Sequence, residues 1–341
     1  MEAHTGQSMP FVSFIIVARN AEKYLGNLLA DYLRQDYSIE FRELIIVDGG
    51  SEDDTKKLAQ DFALQHPELA ITILDNPKQT LAPGWNIAIR AARGDIVCRI
   101  DAHVSIPPDY LRSGIRLLTE LEKEEVVCVG GPWETKGSGF WGQAIADVLS
   151  SPFGVGNSRF RYIKTSAYVD TVPCGLYWKW VFEKVGLFRE DLDRSQDVEL
   201  HARIRKQGWK FFLSPALQTT YFCRSEMGPF LKQAFGNGYW GLVLWRESSW
   251  RHLVPFLFVC FLLVVPPLAY LWTFLYYMFL IVGILYLLLS VLFAYRSAAR
   301  RKQWWIALIL PFLFFLLHVA YGLGSCWALT CRVARSNGNH I

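Results

Sequence analysis

The chain has 341 residues, of which 52% are hydrophobic, and its formal net charge of +4 is unevenly distributed. All 31 Asp and Glu lie at or before Glu247, together with 28 of the 35 Lys and Arg, so this front part carries a net charge of −3. These figures argue against nucleic acid as its partner and favour a membrane surface near the cationic tail. The seven scattered cysteines contain no C-x-x-C pair, which argues against structural disulfides and a zinc site.

Short apolar runs alternate with segments of helical periodicity along the front part. The predicted strands are 11–18, 43–47, 71–74, 95–100 and 126–129, and the predicted helices are 22–35, 54–65, 85–92 and 110–122. Ser51, three positions before Asp54, predicts the start of the second helix. The alternation indicates an α/β fold with a mostly parallel sheet, which binds ligands beyond the carboxyl ends of its strands.

Asp48 follows the second predicted strand, in the sequence Val47-Asp48-Gly49-Gly50-Ser51. A carboxylate only accepts hydrogen bonds, and glycines allow a close backbone approach, so this segment suits the N–H of a base or a ribose hydroxyl. An ordinary Asp-Gly turn would have the same sequence.

The stretch Arg99-Ile100-Asp101-Ala102-His103 ends the fourth predicted strand. In extended backbone, residues i and i+2 face the same way, so Asp101 and His103 could reach one divalent ion that grips a diphosphate. A nitrogen ligand makes Mn²⁺ a candidate beside Mg²⁺. The alternative is a polar pair that caps a turn.

A third acidic motif, Ser195-Gln196-Asp197-Val198-Glu199-Leu200, leads into a short predicted helix that Ile204 and Gly208 help to mark. Asp197 falls in the first turn, where the helix dipole keeps a carboxylate ionised. Such a carboxylate can serve as a general base, or it can be an ordinary helix-terminal charge.

Two long uncharged runs follow, 253–295 and 303–331. A bilayer crossing takes about 20 apolar residues, so the first run fits two helices, with the tight turn predicted at Pro266-Pro267. The second fits one long helix or a re-entrant pair broken at Gly322 and Gly324. Two and three crossings both stay open, and they place Arg332 and Arg335 on opposite sides of the membrane.

A basic cluster between the two runs predicts a cytoplasmic loop, and with it a cytoplasmic front domain, by the positive-inside rule. Its members are Arg296, Arg300, Arg301 and Lys302. The aromatic segment 230–251, with Lys232, Arg246 and Arg251, predicts either an interfacial helix or a packed last helix of the domain. We therefore expect a catalytic domain at 1–229, an interfacial segment at 230–251, membrane helices at 252–331 and a tail at 332–341. Segment 137–164 is either a mobile acceptor lid or a surface connection.

The three acidic motifs, in this order and before a membrane tail, resemble the family 2 inverting glycosyltransferases with the GT-A fold. The phrases at 99–103, 170–175, 181–186 and 196–200 resemble more narrowly the succinoglycan-biosynthesis ExoA-like branch. The resemblance covers about residues 10–245. It implies a nucleoside-diphosphate sugar donor, a UDP- or GDP-sugar, and an enzyme of the cell (inner) membrane.

The resemblance also implies which residues bind the nucleotide. Asp48 matches the acid that contacts the base, and Ala18, Arg19 and Asn20 match the segment against the uracil or guanine. Lys78 lies where some relatives place a phosphate contact.

For the chemistry, the resemblance implies that Asp101 and His103 match the D-x-D metal motif, with Asp101 also facing the nucleotide sugar, and that Asp197 matches the catalytic base. Because a nucleoside diphosphate leaves readily once a divalent cation neutralises it, one base is sufficient. Asp197 would take the proton of an acceptor hydroxyl that attacks the anomeric carbon in line, which inverts that carbon.

Processive relatives carry a Q-x-x-R-W motif, but Gly236 stands here where the arginine would be, so we expect one sugar per acceptor. An interfacial segment favours a polyprenyl-linked acceptor in polysaccharide or glycoconjugate synthesis. Two alternatives stay open. One is a polyprenyl-phosphate sugar synthase, whose ionised acceptor hardly needs Asp197, and the other is an inactive membrane subunit that binds a nucleotide sugar.

Overall fold

The computed structural model describes residues 9–247 and 252–338. Its strands are β1 (Val12–Ala18), β2 (Arg42–Asp48), β3 (Ile71–Asp75), β4 (Ile96–Asp101), β5 (Val104–Ser105), β6 (Val126–Gly130), β7 (Trp133–Lys136), β8 (Ala167–Val169), β9 (Leu176–Trp178), β10 (Lys210–Leu213) and β11 (Thr219–Phe222). Its helices are α1 (Glu22–Leu33), α2 (Thr55–Gln65), α3 (Leu81–Ala91), α4 (Tyr110–Glu120), α5 (Gly139–Leu149), α6 (Pro152–Val155), α7 (Trp180–Val185), α8 (Gln196–Lys206), α9 (Met227–Val243), α10 (Leu253–Ala269), α11 (Thr273–Arg301) and α12 (Trp305–Gly338).

The chain divides into two compact units. The first contains the residues up to Glu134 and Ile163–Tyr221, and the second contains Thr135–Tyr162 and the residues from Phe222 onward. Segment 137–164, expected to be a lid or a connection, holds α5, α6 and a short 3₁₀ helix. The domain boundaries inferred from composition remain a prediction.

The first unit is built on an eight-stranded sheet in the order β3-β2-β1-β4-β9-β6-β10-β8. The strands β3, β2, β1 and β4 are parallel, as are β6 and β10, whereas β9 and β8 run antiparallel to their neighbours. Every residue of β1 and β2 is buried, because helices cover both faces of such a sheet. The predicted α/β class with a mostly parallel sheet is confirmed.

The predicted strands correspond to β1–β4 and β6, with each end within one residue. The four predicted helices correspond to α1–α4, although α3 begins four residues early, at Leu81. Helix α2 begins at Thr55, one residue after the predicted position 54, but Ser51 does not cap it, since the Ser51 hydroxyl accepts the Asn20 N–H at 3.0 Å. The short strands β5, β11 and β7 form a second sheet, in that order.

In the second unit, α9 packs along α12, and α5, α10 and α11 also contact α12. Glycines permit the closest approaches: a Cβ on Gly238 would lie 1.8 Å from the Tyr321 carbonyl oxygen, and one on Gly324 would lie 2.0 Å from that of Phe235. The predicted segment 230–251 thus falls largely in a helix with one packed face. Its residues Trp250 and Arg251 lie outside the described part of the chain.

Helices α11 and α12 are long and apolar enough to cross a membrane, and α10 is a shorter apolar helix of 17 residues. Only 11% of the most apolar part of α11 is buried, whereas the core helix of a water-soluble protein would be mostly covered. The predicted turn at Pro266-Pro267 is wrong, since both prolines lie inside α10 and the chain turns at 270–272. Lipid-facing helices tolerate such prolines because neighbouring groups satisfy the freed carbonyls.

The re-entrant alternative for the second run is also wrong. Helix α12 passes unbroken through Gly322 and Gly324, whose missing side chains make room for neighbouring helices. A Cβ on Gly322 would lie 2.3 Å from the Pro255 carbonyl oxygen of α10. The side chains of Arg332 and Arg335 are outside the described residues.

Candidate functional site

Three predicted site residues meet at the carboxyl ends of adjacent strands. In the register of β1 with its two neighbours, Ala18 pairs with Asp48, and Val17 pairs with Asp101. Neighbouring strands lie about 4.8 Å apart, so β1 separates the backbones of the two aspartates by about 10 Å. The structure therefore brings Ala18, Asp48 and Asp101 to one sheet edge, as the sequence predicted.

The Asp48 side chain is buried, with one carboxylate oxygen hydrogen-bonded to the backbone and the other without a hydrogen bond among the described residues. Its Oδ2 accepts the backbone N–H groups of Gly50 at 3.0 Å and Ser51 at 3.1 Å, and Gly50 has a φ of +71° that favours glycine. Its Oδ1 is buried and has no hydrogen-bond partner among the described residues. Leaving a buried carboxylate oxygen unpaired is unfavourable, so Oδ1 is suited to receive an N–H from a ligand.

Arg19 and Asn20 tie the loop after β1 to the loops after the neighbouring strands. Asn20 Oδ1 accepts the Glu52 N–H at 2.9 Å, and Arg19 Nη1 donates to the Gln79 carbonyl at 3.4 Å. Both residues are exposed, so these bonds hold the backbone of the loops around Asp48 while the side chains stay accessible.

Lys78 is engaged with a carboxylate. Its Nζ lies 2.6 Å from Glu190 Oε2, and Glu190 Oε1 accepts the Asn86 side-chain amide at 2.9 Å. The hydrogen bonds from Lys78 and Asn86 lower the pKa of the Glu190 carboxyl. Lys78 is exposed, so an incoming phosphate would compete with Glu190 for it, and its role as a phosphate contact stays a prediction.

The geometric reason given for the Asp101 and His103 pair is wrong. Asp101 is the last residue of β4, but Ala102 and His103 form a turn before β5, so the pair is not in extended backbone. The His103 ring meets the Tyr221 ring edge-on, with the two centroids 5.2 Å apart. The Tyr221 ring in turn stacks on the Trp133 ring, with a centroid distance of 4.1 Å. The aromatic contacts restrict the imidazole beside Asp101.

The carboxylate of Asp101 and the imidazole of His103 fit Mg²⁺ or Mn²⁺ as a partial set of ligands. These ions commonly take one or two protein ligands and complete their coordination with substrate phosphates and water. Within residues 9–247 and 252–338, no group of three or more His, Cys, Asp or Glu is arranged to hold a metal. The donor set therefore fits a metal that a nucleoside diphosphate helps to bind, and it does not fit a metal caged by protein alone.

Arg99 is a buried cation on β4, two residues before Asp101, to which sequence reasoning assigned no role. Its guanidinium lies over the rings of Trp85 at 5.2 Å and Phe188 at 5.8 Å. Burial acts to lower the pKa of Arg99, but several groups, among them Asp101 and Asp197, raise it above its ordinary value. Both carboxylates thus act on one buried charge, which couples two residues 96 positions apart. A charged residue inside an apolar strand was the sequence signal for it.

Asp197 lies in the first turn of α8, as predicted. Its Oδ1 accepts the Val198 N–H at 2.9 Å, and Ser195, with a φ of +60°, starts the helix. The preceding Gln196 is buried, and its side chain donates to the Leu192 carbonyl at 2.9 Å. These bonds hold the helix start that carries Asp197.

The rest of α8 is fixed by buried polar contacts. His201 lies between the Thr171 and Tyr177 hydroxyls, each 2.7 Å from one ring nitrogen, and burial holds the pKa of His201 well below its ordinary value. Glu199 pairs with Arg203 at 2.9 Å. Glu199 and His201 therefore have structural roles: His201 docks the helix on Thr171 and Tyr177, and Glu199 orients Arg203, which donates to the Leu187 carbonyl at 2.7 Å.

Comparisons with known proteins agree with this arrangement. Residues 13–186 match the model of the family described as glycosyl transferase family 2. The chain is 31% identical, over 92% of its length and 96% of the relative, to the dolichyl N-acetyl-alpha-D-glucosaminyl phosphate 3-beta-D-2,3-diacetamido-2,3-dideoxy-beta-D-glucuronosyltransferase of Methanococcus voltae. It is 28% identical to the succinoglycan biosynthesis protein ExoA of Rhizobium meliloti, over 62% of this chain and 63% of that protein.

The fold also has a solved counterpart. The mannosyltransferase PcManGT of Pyrobaculum calidifontis, determined in complex with GDP-Man and Mn²⁺, superposes with a TM-score of 0.60 at 18% identity, covering 94% of this chain and 88% of that one. The first unit thus has a GT-A fold, the class that the sequence predicted. With its family match over half of the sequence and a relative similar along nearly its whole length, the chain belongs to glycosyl transferase family 2.

Proposed function

We propose that this glycosyltransferase moves one sugar from a UDP- or GDP-sugar to a hydroxyl of a lipid-linked acceptor, with inversion and with Mg²⁺ or Mn²⁺ as cofactor. The observation that carries the proposal is the position of Asp48 and Asp101 at one sheet edge, with the buried Arg99 on the same strand as Asp101. Asp101 and Asp197 both raise the pKa of Arg99. Within the family we assign the chain to the ExoA-like branch, which the similarity to the Rhizobium protein supports.

Donor recognition rests on Asp48 in this proposal. Its open, buried Oδ1 accepts an N–H of uracil or guanine, while Oδ2 holds the Gly-Gly turn in place. Both bases carry such an N–H, so this contact distinguishes neither nucleotide. Arg19 and Asn20 flank the base from the next loop.

Asp101 and His103 would hold the divalent ion together with the diphosphate of the donor. The bound ion would supply charge neutralisation of the departing nucleoside diphosphate. Arg99 places a buried positive charge on the same strand, two residues before Asp101.

Asp197 receives the proton of the acceptor hydroxyl. Because Oδ1 already accepts the Val198 N–H, the proton goes to Oδ2 in this proposal. The acceptor oxygen that loses this proton attacks opposite the leaving group, which inverts the anomeric carbon.

The membrane location and the acceptor are inferred together. The relative that matches 92% of this chain is named for action on a dolichyl phosphate that already bears a sugar. That supports a sugar hydroxyl on a polyprenyl carrier as the acceptor here. Helices α11 and α12 anchor the protein in the cell (inner) membrane, with the basic cluster and the catalytic domain on the cytoplasmic side.

The test is a donor screen with the full-length protein in lipid nanodiscs. UDP- and GDP-sugars are offered with a polyprenyl-phosphate sugar, with Mn²⁺, Mg²⁺ or EDTA, and both free nucleotide and glycolipid are measured. We expect one donor to turn over only with metal, and the product to carry one additional sugar.

The matched variants are Asp197→Asn and the exposed neighbour Asp193→Asn. Loss of the base should reduce transfer at least about 100-fold and leave nucleotide binding intact, whereas Asp193→Asn should be active. Substantial transfer by Asp197→Asn to a bare polyprenyl phosphate would contradict the proposal and support a sugar-phosphate synthase. Nucleotide-sugar binding without turnover on any lipid would support an inactive subunit.

A further inference from the structure

Helix α5 lies inside the sequence of the front part, yet its first turn exposes large aromatic side chains. Phe140 is 49% exposed and Trp141 is 41% exposed. The Phe140 ring stacks on Trp305, the first residue of α12, at 4.6 Å, and the adjacent Trp304 is also exposed. Within the second unit, the start of α5 therefore lies next to the junction between α11 and α12.

The other end of α5 is fixed to α11 by a buried carboxylate. Asp147 is fully buried, and its Oδ1 accepts the Ser297 hydroxyl at 2.8 Å and Arg301 Nε at 2.7 Å. Arg300 Nη2 lies 3.5 Å from the same oxygen. Helix α5 is thus held by α12 at one end and by α11 at the other, so its aromatic residues have a defined position on the helical unit.

The charges around this junction do not balance. Four exposed cations lie at the end of α11 and directly after it: Arg296, Arg300, Arg301 and Lys302. Arg300 and Arg301 contact one carboxylate, Asp147, and the sequence has no acidic residue after Glu247. Guanidinium groups bind phosphate oxygens with paired hydrogen bonds, and Asp147 leaves most N–H groups of Arg300 available for them. The unbalanced cations therefore favour an anionic partner that presents phosphate.

We propose that α5 and the α11–α12 junction form one membrane-interface surface that binds the phosphate groups of anionic phospholipids, with Phe140 and Trp141 inserted among the headgroups. Trp side chains, whose indole N–H is polar, are typical of the headgroup layer when they lie beside basic residues at the end of a membrane helix, and Trp141, Trp304 and Trp305 have this setting here. The surface is continuous with the apolar faces of α11 and α12, which makes a bilayer its occupant. This inference is independent of which sugar is transferred.

Photo-crosslinking tests the aromatic part of this surface. The photoreactive residue p-benzoylphenylalanine replaces Phe140 or Trp141 in the full-length protein, in nanodiscs of phosphatidylglycerol and phosphatidylcholine. Lipid adducts are detected by mass spectrometry. Leu285 on the exposed face of α11 is the positive control, and exposed Leu64 of α2 is the matched control in the first unit. We expect adducts at 140, 141 and 285 and none at 64, and adducts at 285 alone would overturn the proposal.

Lipid affinity tests the cationic part without relying on the aromatic variants. Native mass spectrometry measures phosphatidylglycerol and phosphatidylcholine binding to the detergent-solubilised chain, with no sugar donor present. Arg300→Gln should lower the preference for phosphatidylglycerol about fivefold. Arg34→Gln, which alters another exposed arginine paired with a buried aspartate, should change nothing. An unchanged preference in Arg300→Gln would contradict the proposal, and both outcomes are independent of whether any donor turns over.

Discussion

Replacing Asp48 by Asn tests the buried oxygen that we assign to the nucleotide base. The wild-type Oδ1 is an unpartnered acceptor, whereas an amide that keeps its oxygen on the Gly50 and Ser51 N–H groups must place Nδ2, a donor, where Oδ1 was. A ligand N–H then meets a donor. A hydrogen bond to a charged group contributes about 1.5–3 kcal/mol, so nucleotide affinity should fall about 10- to 150-fold.

The same change has an effect on stability that is measured separately. Nδ2 would be unpaired, but so is Oδ1 in the wild type, so the difference comes from the Gly50 and Ser51 N–H groups, which bond a neutral amide oxygen less strongly than a carboxylate. The free energy of unfolding without nucleotide should therefore fall by about 1 kcal/mol. Isothermal titration calorimetry of UDP and GDP with Mn²⁺ gives the affinity, and thermal unfolding in detergent gives the stability. Both are needed because a variant that binds poorly must still be shown to be folded.

Asp75 provides a matched control at the same sheet edge. It pairs in register with Asp48 on β3, but it is exposed and its Oδ1 lies 2.6 Å from Lys56 Nζ. Asp75→Asn should bind nucleotide as the wild type does. If Asp48→Asn also bound UDP and GDP with wild-type affinity, the assignment of Oδ1 to the base would be refuted.

The variant His103→Asp should remain active, and a metal titration of its activity should show a preference shifted from Mn²⁺ toward Mg²⁺, because a carboxylate oxygen replaces the imidazole nitrogen. An unchanged metal preference would argue against His103 as a ligand. Burial lowers the pKa of His201 in the folded protein, so below about pH 6.5 this imidazole is protonated in the unfolded state but not in the folded state. The free energy of unfolding should therefore decline, by up to about 1.4 kcal/mol for each pH unit below about 6.5. Unfolding between pH 7 and 5 should show a smaller decline in His201→Gln, and an equal decline would contradict this. The variant Gly84→Ala should have a free energy of unfolding about 1–3 kcal/mol lower in thermal unfolding, since its Cβ would lie 2.6 Å from Val17 Cγ1. Wild-type stability would contradict this and show that β1 can shift to make room for the methyl group.

The sheet was predictable because its strands are buried on both faces and therefore appear as unbroken apolar runs. Strand β5 has two residues, and β7 and β11 have four each, so none exceeds the shortest run of about four residues that strand prediction needs. The same limit explains the error at His103. A turn of two residues before β5 leaves no trace in hydrophobic periodicity.

In the helical part, composition identified the apolar runs but misjudged their interruptions. Prolines usually end helices in water-soluble proteins, and glycines usually destabilise them. The pairs Pro266-Pro267 and Gly322/Gly324 were therefore interpreted as helix breaks. Their actual setting depends on tertiary contacts, such as the approach of the Phe235 carbonyl to Gly324. The coupling of Asp101 and Asp197 through Arg99 likewise involves residues far apart in sequence, which no local pattern reports.

The path of residues 135–162 has a practical consequence for producing the enzyme. This stretch belongs to the second unit, where α5 packs against α12, and the chain that follows it forms β8 of the first unit. A recombinant fragment cut before α10 would therefore lack the surfaces that normally cover α5, and its buried Asp147 would lose Ser297 and Arg301. Expression of the GT-A portion alone would require excising or redesigning this excursion, since simple removal of the hydrophobic tail leaves an uncovered apolar helix in the middle of the fragment.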